Sequence, residues 1–312
     1  MAIESKLVKK GKTLFGARTG EKICIFIDDV NMPALEFYGA QPCIELLRQL
    51  GDLGGFYDRH KLFFKEIIDT TMVPVCAPPG GGRNQLSFRY LRQLLPLMFP
   101  TPNSGTAFKI FNSLLAPKCT FSEPIVLTTL NVFDKICKEL LPTPSKFQYI
   151  YNMRDIGKVI QNIGKGKEEQ IVKLFIHEIR RVFADRMIEE DYVWFRGVVT
   201  DAYKRYFSNI SLLTDETFSV LFTDILKLDT GASIYEEVTD RKKLFNLLDG
   251  KQQDYKFSTN ENLDLVFFDE AVEQILRICR ILKQPRGNAM LIGVGGSGKQ
   301  SLSKLSSYIM KC

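Results

Sequence analysis

A glycine-rich run near the end of the sequence has the residue types and spacing of a phosphate-binding loop. It reads Gly293-Val294-Gly295-Gly296-Ser297-Gly298-Lys299, which fits G-x-x-x-x-G-K, and the apolar segment 289–292 before it predicts a short strand. Glycines let backbone N–H groups approach phosphate oxygens closely, and the lysine neutralises β- and γ-phosphate charge. The run therefore predicts nucleotide binding, and a glycine-rich turn at the start of a helix is the alternative.

Magnesium binding at this loop depends on the residues after the lysine. The strict pattern places Ser or Thr there, because its hydroxyl binds Mg²⁺, but this sequence has Gln300 at that position and Ser301 one residue later. Ser301 is therefore the candidate magnesium ligand of the loop.

Two adjacent aspartates follow an apolar run and form a second candidate site. The run Ile23–Ile27 predicts a strand buried on both faces of a parallel sheet, and ligands bind at the carboxyl ends of such strands. In a Walker B strand, Asp28 would order the magnesium shell and Asp29 would polarise the attacking water. Asp29 is one methylene shorter than the usual Glu, which predicts slow hydrolysis. A strand followed by a solvated turn is the alternative.

Three further groups of residues have weaker signals. The run 80–83, Gly-Gly-Gly-Arg, is a candidate phosphate contact or a simple turn. Arg89 and Arg92 follow it, and either could act as an arginine finger across a module boundary or be an ordinary surface charge. His60 and His177 are interpreted as packing or surface residues. With only these two histidines, the sequence gives little support for zinc catalysis or a histidine-containing triad.

Composition indicates a globular protein with room for two domains. The 312 residues are 45% hydrophobic and 25% charged, and a net charge of +6 is too small to argue for nucleic acid. The seven cysteines are scattered without a C-x-x-C pair, which favours reduced thiols. No apolar run is long enough to span a membrane, so we expect an intracellular protein with neither a nucleic-acid nor a membrane partner.

The part of the sequence before residue 101 predicts an α/β arrangement. Residues 1–21 are basic and show no periodicity, so no fold is predicted for them. After the strand at 23–27, a helix is predicted from beyond Pro33 to Leu50, with Gly51 as its stop. A strand over 67–76, a turn and a short helix within 86–99 follow.

The rest of the sequence predicts helices. Apolar residues at helical spacing predict helices over 105–116, 124–141, 168–187 and 191–207, followed by a looser, charged stretch over 236–262. The next helix has an inward face of Val272, Ile275, Leu276, Cys279 and Leu282.

Several ordered segments resemble dynein heavy chains of the axonemal type. They are Phe26-Ile27-Asp28-Asp29-Val30-Asn31-Met32-Pro33, Tyr38-Gly39-Ala40-Gln41-Pro42, Pro78-Pro79-Gly80-Gly81-Gly82-Arg83-Asn84, Asn152-Met153-Arg154-Asp155 and the run from Gln284 to Ser301. Together they resemble the stretch from the Walker B strand of the third AAA+ module, through its helical subdomain, to the Walker A loop of the fourth. Dyneins carry six such modules in a ring.

The resemblance implies a fold, a set of roles and a set of partners. The fold is α/β plus all-α: part of an AAA+ P-loop module with its helical subdomain, then the start of a second module. Asp28 and Asp29 resemble a Walker B pair, Arg92 and secondarily Arg89 an arginine finger, and Arg154 a sensor-2 arginine. The residues that resemble the fourth phosphate loop are Gly293, Gly298, Lys299 and Ser301.

The polar sensor-1 residue of the family falls at Ala77, which implies that its contact is lost, and the Gln after the loop lysine is common in the axonemal branch. The implied activity is that of an ATP-driven, minus-end-directed microtubule motor, with ATP or ADP and Mg²⁺ as cofactors. The implied partners are the other modules of the ring and, through the whole motor, microtubules and the intermediate and light chains. The implied location is cytoplasm, cytoskeleton and the axoneme of cilia.

The resemblance also predicts a division of the chain. The segments are a basic segment 1–21, the C-terminal part of an α/β subdomain 22–100, a helical subdomain 101–235, a linker 236–267 and the start of the next module 268–312. Two incomplete nucleotide sites would then be present, and we expect no self-sufficient catalysis. The alternatives are a circularly permuted stand-alone P-loop ATPase, in which Lys299 faces Asp28, and a non-catalytic module that interacts with dynein.

Overall fold

The computed structural model describes residues 3–164, 170–207, 214–226, 235–259, 261 and 263–311. The chain divides into two compact units, Met1–Pro100 and Thr101–Cys312. Within the described residues, no helix is long and apolar enough to cross a membrane. The expected combination of an α/β part and a helical part is confirmed.

Within its described residues, the first unit contains two small sheets and two α-helices. Its strands are β1 (Val8–Lys9), β2 (Leu14–Gly16), β3 (Ile23–Ile27), β4 (Gly55–Tyr57), β5 (Phe64–Ile68) and β6 (Thr70–Pro74), and its helices are α1 (Pro42–Leu53) and α2 (Phe88–Leu91). One sheet has the order β1-β2-β5-β4 with β2 and β5 parallel, and β3 pairs in parallel with β6. Ile27 lies opposite Pro74, so these two strands end at the same edge.

Two expectations about the strands of this unit are wrong. Residues 1–21, for which no fold was predicted, contribute β1 and β2, because pairing with β5 gives order to runs too short to show periodicity. The predicted strand 67–76 is divided at Asp69, whose φ of 56° ends one strand before the next begins. As a result β5 and β6 belong to different sheets.

The burial of β3 and the bounds of α1 also differ from expectation. Residues of β3 alternate between half-buried and exposed, with Phe26 64% exposed, and β6 is its only paired strand among the described residues. Helix α1 begins at Pro42, whose fixed φ suits the first helical position, and Gly51 lies inside it. The helix ends at Gly54 because that residue takes the left-handed conformation (φ 67°) of a C-cap.

The second unit consists mainly of helices. They are α3 (Ser104–Leu115), α4 (Ser122–Glu139), α5 (Met153–Ile163), α6 (Ile171–Phe183), α7 (Glu189–Tyr206), α8 (Asp215–Ser219), α9 (Arg241–Thr259), α10 (Asp269–Leu282) and α11 (Lys299–Met310). Strands β7 (Phe222–Thr223) and β8 (Glu236–Glu237) form an antiparallel pair. One core lies among α3 to α8, and a second joins α9, α10 and α11. The four helices expected between 105 and 207 are confirmed as α3, α4, α6 and α7.

Two expectations in this unit are wrong. The looser, charged stretch 236–262 contains the 19-residue helix α9, which packs through Leu244, Leu248 and Tyr255 although seven of its residues are charged. The strand expected at 289–292 does not form among the described residues, and Met290 and Ile292 are largely exposed. An apolar run becomes a strand only when a partner strand accepts its hydrogen bonds.

His177 is buried in the second unit, in agreement with its interpretation as a packing residue. Its Nδ1–H donates to the carbonyl of Val220 at 3.1 Å, and its Nε2 lies 3.0 Å from the Tyr235 hydroxyl. Burial lowers the pKa of His177 to about 3, helped by the nearby Arg181 charge and opposed by Glu178. The folded protein therefore holds this imidazole neutral.

We predict that His177 makes the second unit less stable in mild acid. Below about pH 6.5 the unfolded chain protonates His177 and the folded chain does not, so stability is lost as the pH falls from about 6.5 towards about 3. The loss is about 2 kcal/mol at pH 5. Urea unfolding followed by the fluorescence of Trp194, the only tryptophan, measures it. His177→Gln should reduce the difference between pH 7 and pH 5, and His60→Gln, at an exposed position, should not. An unchanged pH dependence in His177→Gln would contradict this assignment.

Candidate functional site

The two aspartates lie in a turn directly after β3. Asp29 adopts a left-handed conformation with φ 47°, which aspartate tolerates better than most residues. The N–H of Asp29 donates to Oδ1 of Asp28 at 3.0 Å, so the first carboxylate stabilises the turn. Both carboxylates are at the surface end of the strand, where ligands of parallel sheets bind.

Hydrogen bonds join this acidic turn to the glycine-rich turn after β6. Nε of Arg83 donates to Oδ1 of Asp29 at 3.2 Å, and Nδ2 of Asn31 donates to the carbonyl of Ala77 at 2.8 Å. The N–H of Asn84 donates to the carbonyl of Asn31 at 2.8 Å. The two strand ends are thus held together by side chains as well as by the β3–β6 pairing.

Three residues of this junction have contacts that the sequence patterns do not predict. Asn31 is 1% exposed and Asn84 is half-buried, and no chemical role was predicted for either. Arg83, which was a candidate phosphate contact, forms an ion pair with the carboxylate of Asp29. The sequence does contain one signal for this junction, the Asn two positions after the aspartate pair. An Asn that becomes buried needs hydrogen-bond partners, and backbone groups of a neighbouring turn can supply them.

Ala77 illustrates how the junction forms without a polar side chain. Its methyl group cannot donate or accept a hydrogen bond, and its carbonyl accepts from Asn31 instead. The glycines that follow, Gly80, Gly81 and Gly82, all have positive φ, so the expected turn is present. Gly80 and Arg83 exchange backbone hydrogen bonds of 3.1 Å across it.

The two candidate finger arginines lie on or beside the short helix α2. Arg92 is 65% exposed at the side chain, and its Nη2 lies 3.5 Å from Oδ2 of Asp52 at the end of α1. The side chain of Gln93 donates to the same carboxylate at 3.1 Å. Arg89 is exposed on α2. Neither guanidinium is buried, so both remain accessible to a negatively charged partner.

Arg154 lies in the first turn of α5, in the second unit. Oδ1 of Asn152 accepts from the N–H of Arg154 at 2.9 Å, and Oδ2 of Asp155 accepts from the N–H of Asn152 at 3.2 Å. This capping box explains why the Asn-Met-Arg-Asp sequence starts a helix. It fixes the backbone of Arg154 and leaves the residue exposed.

The predicted phosphate loop wraps around the ammonium group of Lys299. Gly296 and Gly298 have φ of 76° and 74°, and Lys299 is the first residue of α11. Nζ of Lys299 donates to the carbonyl of Gly293 at 2.7 Å, to the carbonyl of Val294, and to Oγ of Ser297 at 3.1 Å. The loop therefore closes on the lysine that the sequence assigns to phosphate.

The loop fits a polyphosphate by its shape and donor set. A Cβ at Gly293 would lie 3.2 Å from Oγ of Ser297 and 3.7 Å from Nζ of Lys299, so a side chain there would fill the space that the loop encloses. The unbonded N–H groups of the first turn of α11 and the lysine ammonium both favour anions. These residues are suited to hold the phosphates of a nucleotide.

Magnesium has fewer protein ligands available. Ser301 is half-buried in the first turn of α11, whereas Gln300 is exposed. Among the residues that the structure describes, no group of three or more His, Cys, Asp or Glu side chains could hold a metal ion. A magnesium ion at the loop would therefore rely on the Ser301 hydroxyl, phosphate oxygens and water, which is a common arrangement for this cation.

Three family models match the chain in order. A P-loop containing dynein motor region matches residues 1–102, an AAA+ lid domain matches residues 125–217, and a P-loop containing dynein motor region D4 matches residues 263–312. The D4 match includes Gly293 to Ser301, and the first match includes Asp28 and Asp29. The expected AAA+ P-loop fold with a helical lid is confirmed.

Curated relatives match almost the whole chain. Human dynein axonemal heavy chain 6 is 43% identical over 98% of this chain, and mouse dynein axonemal heavy chain 12 is 36% identical over 99% of it. A dynein-1-beta heavy chain of the flagellar inner arm I1 complex from Chlamydomonas reinhardtii is 36% identical over 99%. The chain spans 8%, 11% and 7% of the length of these relatives, respectively. The chain belongs to the axonemal dynein heavy chain family.

Proposed function

We propose that this chain contributes to two nucleotide sites of a dynein motor, an ATP-driven, minus-end-directed microtubule motor of cilia and flagella. It supplies the acidic half of the site in the third AAA+ module and the phosphate-loop half of the site in the fourth. The observation that carries the proposal is the loop 293–299, closed around Lys299 at the start of α11. Family membership supports the wider motor activity.

Each candidate residue has a proposed task. Bound nucleotide and Mg²⁺ supply the phosphoanhydride bond and the charge that activates it. Lys299 and the backbone N–H groups of the loop bind phosphate, and Ser301 holds the metal. In the other half-site, Asp28 would help to hold Mg²⁺ and Asp29 would accept a hydrogen bond from the attacking water.

The arginines contact nucleotide phosphates in this proposal, Arg92 and Arg89 across a module boundary and Arg154 within its own module. Arg92, with Arg89 second, projects towards the phosphates of the neighbouring second-module site, and its exposed side chain is consistent with that task. Arg154 acts as the sensor-2 arginine of its own module, because the capping box of α5 fixes its backbone while leaving it accessible. A guanidinium at either place would stabilise negative charge that develops on phosphate.

The same proposal covers domains, location and partners. The segments 1–21, 22–100, 101–235, 236–267 and 268–312 correspond to successive parts of the two modules, although 236–267 now includes a helix. The partners are the other ring modules and, through the whole motor, microtubules and the intermediate and light chains. The location is the axoneme, to which the names of the relatives refer.

We predict that Lys299 determines the ATP affinity of the loop. Removing its charge-assisted hydrogen bonds in Lys299→Ala should weaken ATP binding about 10- to 100-fold, measured by calorimetric titration of the purified chain. Lys304→Ala is a matched control, because Lys304 is on the same helix and pairs with Glu261 at the surface. The control should keep the affinity within about twofold. Equal affinities for Lys299→Ala and the control would contradict the proposal.

We predict that Asp28 does not contribute to the ATP site formed by the loop. If the chain holds two half-sites, Asp28→Asn should leave the ATP affinity of the loop within about twofold and the purified chain should show no steady-state hydrolysis. Asp249→Asn, at an exposed position on α9, is the charge-matched control. A magnesium-dependent hydrolysis that is lost in both Asp28→Asn and Lys299→Ala would instead favour the permuted stand-alone ATPase.

A further inference from the structure

Helix α10 has two faces with different chemistry. Val272, Ile275 and Cys279 are buried on one face and pack in the same core as Leu305 and Ile309 of α11. Glu273, Arg277 and Arg280 follow one another at spacings of four and three, which places them along a second stripe of the helix. The first face therefore supports α11, and the second is available to another element.

The second face of α10 binds α6 through a buried ion pair. Nε of Arg280 donates to Oε1 of Glu178 at 3.2 Å, and a shorter contact joins Nη2 of Arg280 to Oε2 of the same carboxylate. Glu178 is fully buried and also accepts from Nδ2 of Asn162 at 2.8 Å and from the Tyr235 hydroxyl at 3.1 Å. All described partners of this carboxylate are hydrogen-bond donors.

The charge state of this pair follows from its surroundings. Burial favours the neutral form of Glu178, but the charge of Arg280 and its hydrogen bonds bring the pKa of Glu178 below its ordinary value. The same pairing raises the pKa of Arg280 in spite of burial. Both groups are therefore charged at neutral pH, and separating the helices would leave a buried charge without its partner.

A second contact along the same face involves Glu273. Its Oε1 accepts from Nη2 of Arg180 at 2.6 Å and from Nη2 of Arg181 at 3.0 Å, both on α6. Beyond the end of α10, Lys283 pairs with the buried Asp224. The contacts with α6 are one α-helical turn or more apart, so they fix the orientation of α10 as well as its position.

The segment before the phosphate loop turns at the end of this helix, and the helix after the loop packs on it. The N–H of Gly287 donates to the carbonyl of Gln284 at 2.9 Å, and a Cβ at Gly287 would lie 1.8 Å from the carbonyl oxygen of Ile281. The chain therefore turns tightly over the end of α10 before it reaches the loop. After the loop, α11 packs on α10, where Sγ of Cys279 lies 3.9 Å from the carbonyl of Ser306.

We infer that Glu178 of α6 and Glu273 of α10 are positioning residues for the phosphate loop 293–301. They hold α10 in place, and α10 holds the segment before the loop and the helix after it. Helix α6 lies within the region that matches an AAA+ lid domain, and the loop lies within the region that matches the dynein motor region D4. The inference rests on the proposed function for its consequence, which is that the ion pairs between α6 of the lid and α10 set the nucleotide affinity of the following module.

Hydrogen exchange of the full chain without nucleotide tests the placement directly. In Glu178→Gln the amides of residues 302–309 in α11 should exchange at least about tenfold faster than in the unaltered chain. Val199→Ala, in the core among α3 to α8, is the control for general destabilisation and should leave these amides within about twofold. Arg280→Lys, which keeps the charge, should fall between Glu178→Gln and the unaltered chain.

Two outcomes of this experiment would overturn the inference. One is unchanged exchange of α11 in Glu178→Gln, and the other is equal acceleration in Glu178→Gln and Val199→Ala, which indicates a purely structural role. If Glu178→Gln fails to fold, Glu273→Gln gives the same readout, because Glu273 lies at a partly exposed position and its removal leaves the Glu178–Arg280 pair intact.

A second measurement, with ATP as the probe, separates the inference from the proposed function. ATP affinity should fall about tenfold in Glu178→Gln, whereas Lys299→Ala should lose affinity while α11 stays protected. Absence of ATP binding in the unaltered chain would count against the proposed function, and the exchange data would still decide the positioning role. An ATP affinity in Glu178→Gln equal to that of the unaltered chain would refute the role of Glu178.

Discussion

The second unit depends on the compensation of one buried negative charge. Glu178 is fully removed from solvent, and an ionised carboxylate in that environment is stable only when donors surround it. Its donors come from three separate places: Asn162 on α5, Tyr235 before β8, and Arg280 on α10. Loss of one partner of such a pair costs about 3–5 kcal/mol, which is a large share of the stability of a typical domain. Because the Glu178 carboxylate needs several donors, elements that are far apart in sequence pack around it.

Hydrogen bonds made by buried or enclosed polar groups also shape both candidate half-sites. In the acidic turn, the side chain of Asn31 bonds to the carbonyl of Ala77 and stabilises irregular backbone at the end of two strands. In the phosphate loop, Lys299 donates to oxygens of Gly293, Val294 and Ser297. A loop that surrounds its own cation is arranged so that phosphate oxygens can replace the carbonyls as acceptors. In the proposed function, phosphate binding would use the same donor that defines the conformation of the loop.

Local features of the sequence were sufficient for part of this structure. The loop 293–299 could be predicted because glycine spacing reports backbone conformation directly, and α10 could be predicted because its apolar residues repeat at helical spacing. Pairing between distant segments could not be predicted in the same way. Strand β2 pairs with the distant strand β5 as well as with β1, and the contact of Arg83 with Asp29 depends on two turns that are separated by more than fifty residues. Helix α9 was missed because its buried residues are few and its charges many.

The sequence contains a signal for the contact between α6 and α10, but the spacing of apolar residues alone does not reveal it. Leu174, Phe175 and Val182 lie on the buried face of α6, and Glu178 lies three or four residues from each of them, so a carboxylate interrupts an apolar stripe. A charge at such a position requires a buried partner of opposite sign. On α10, the arginines at 277 and 280 lie on a charged stripe that would ordinarily be interpreted as solvated. Only the combination of the two patterns identifies the contact. A carboxylate on the buried face of one helix needs a cation, and a charged face of another helix can supply that cation only if the two faces pack together.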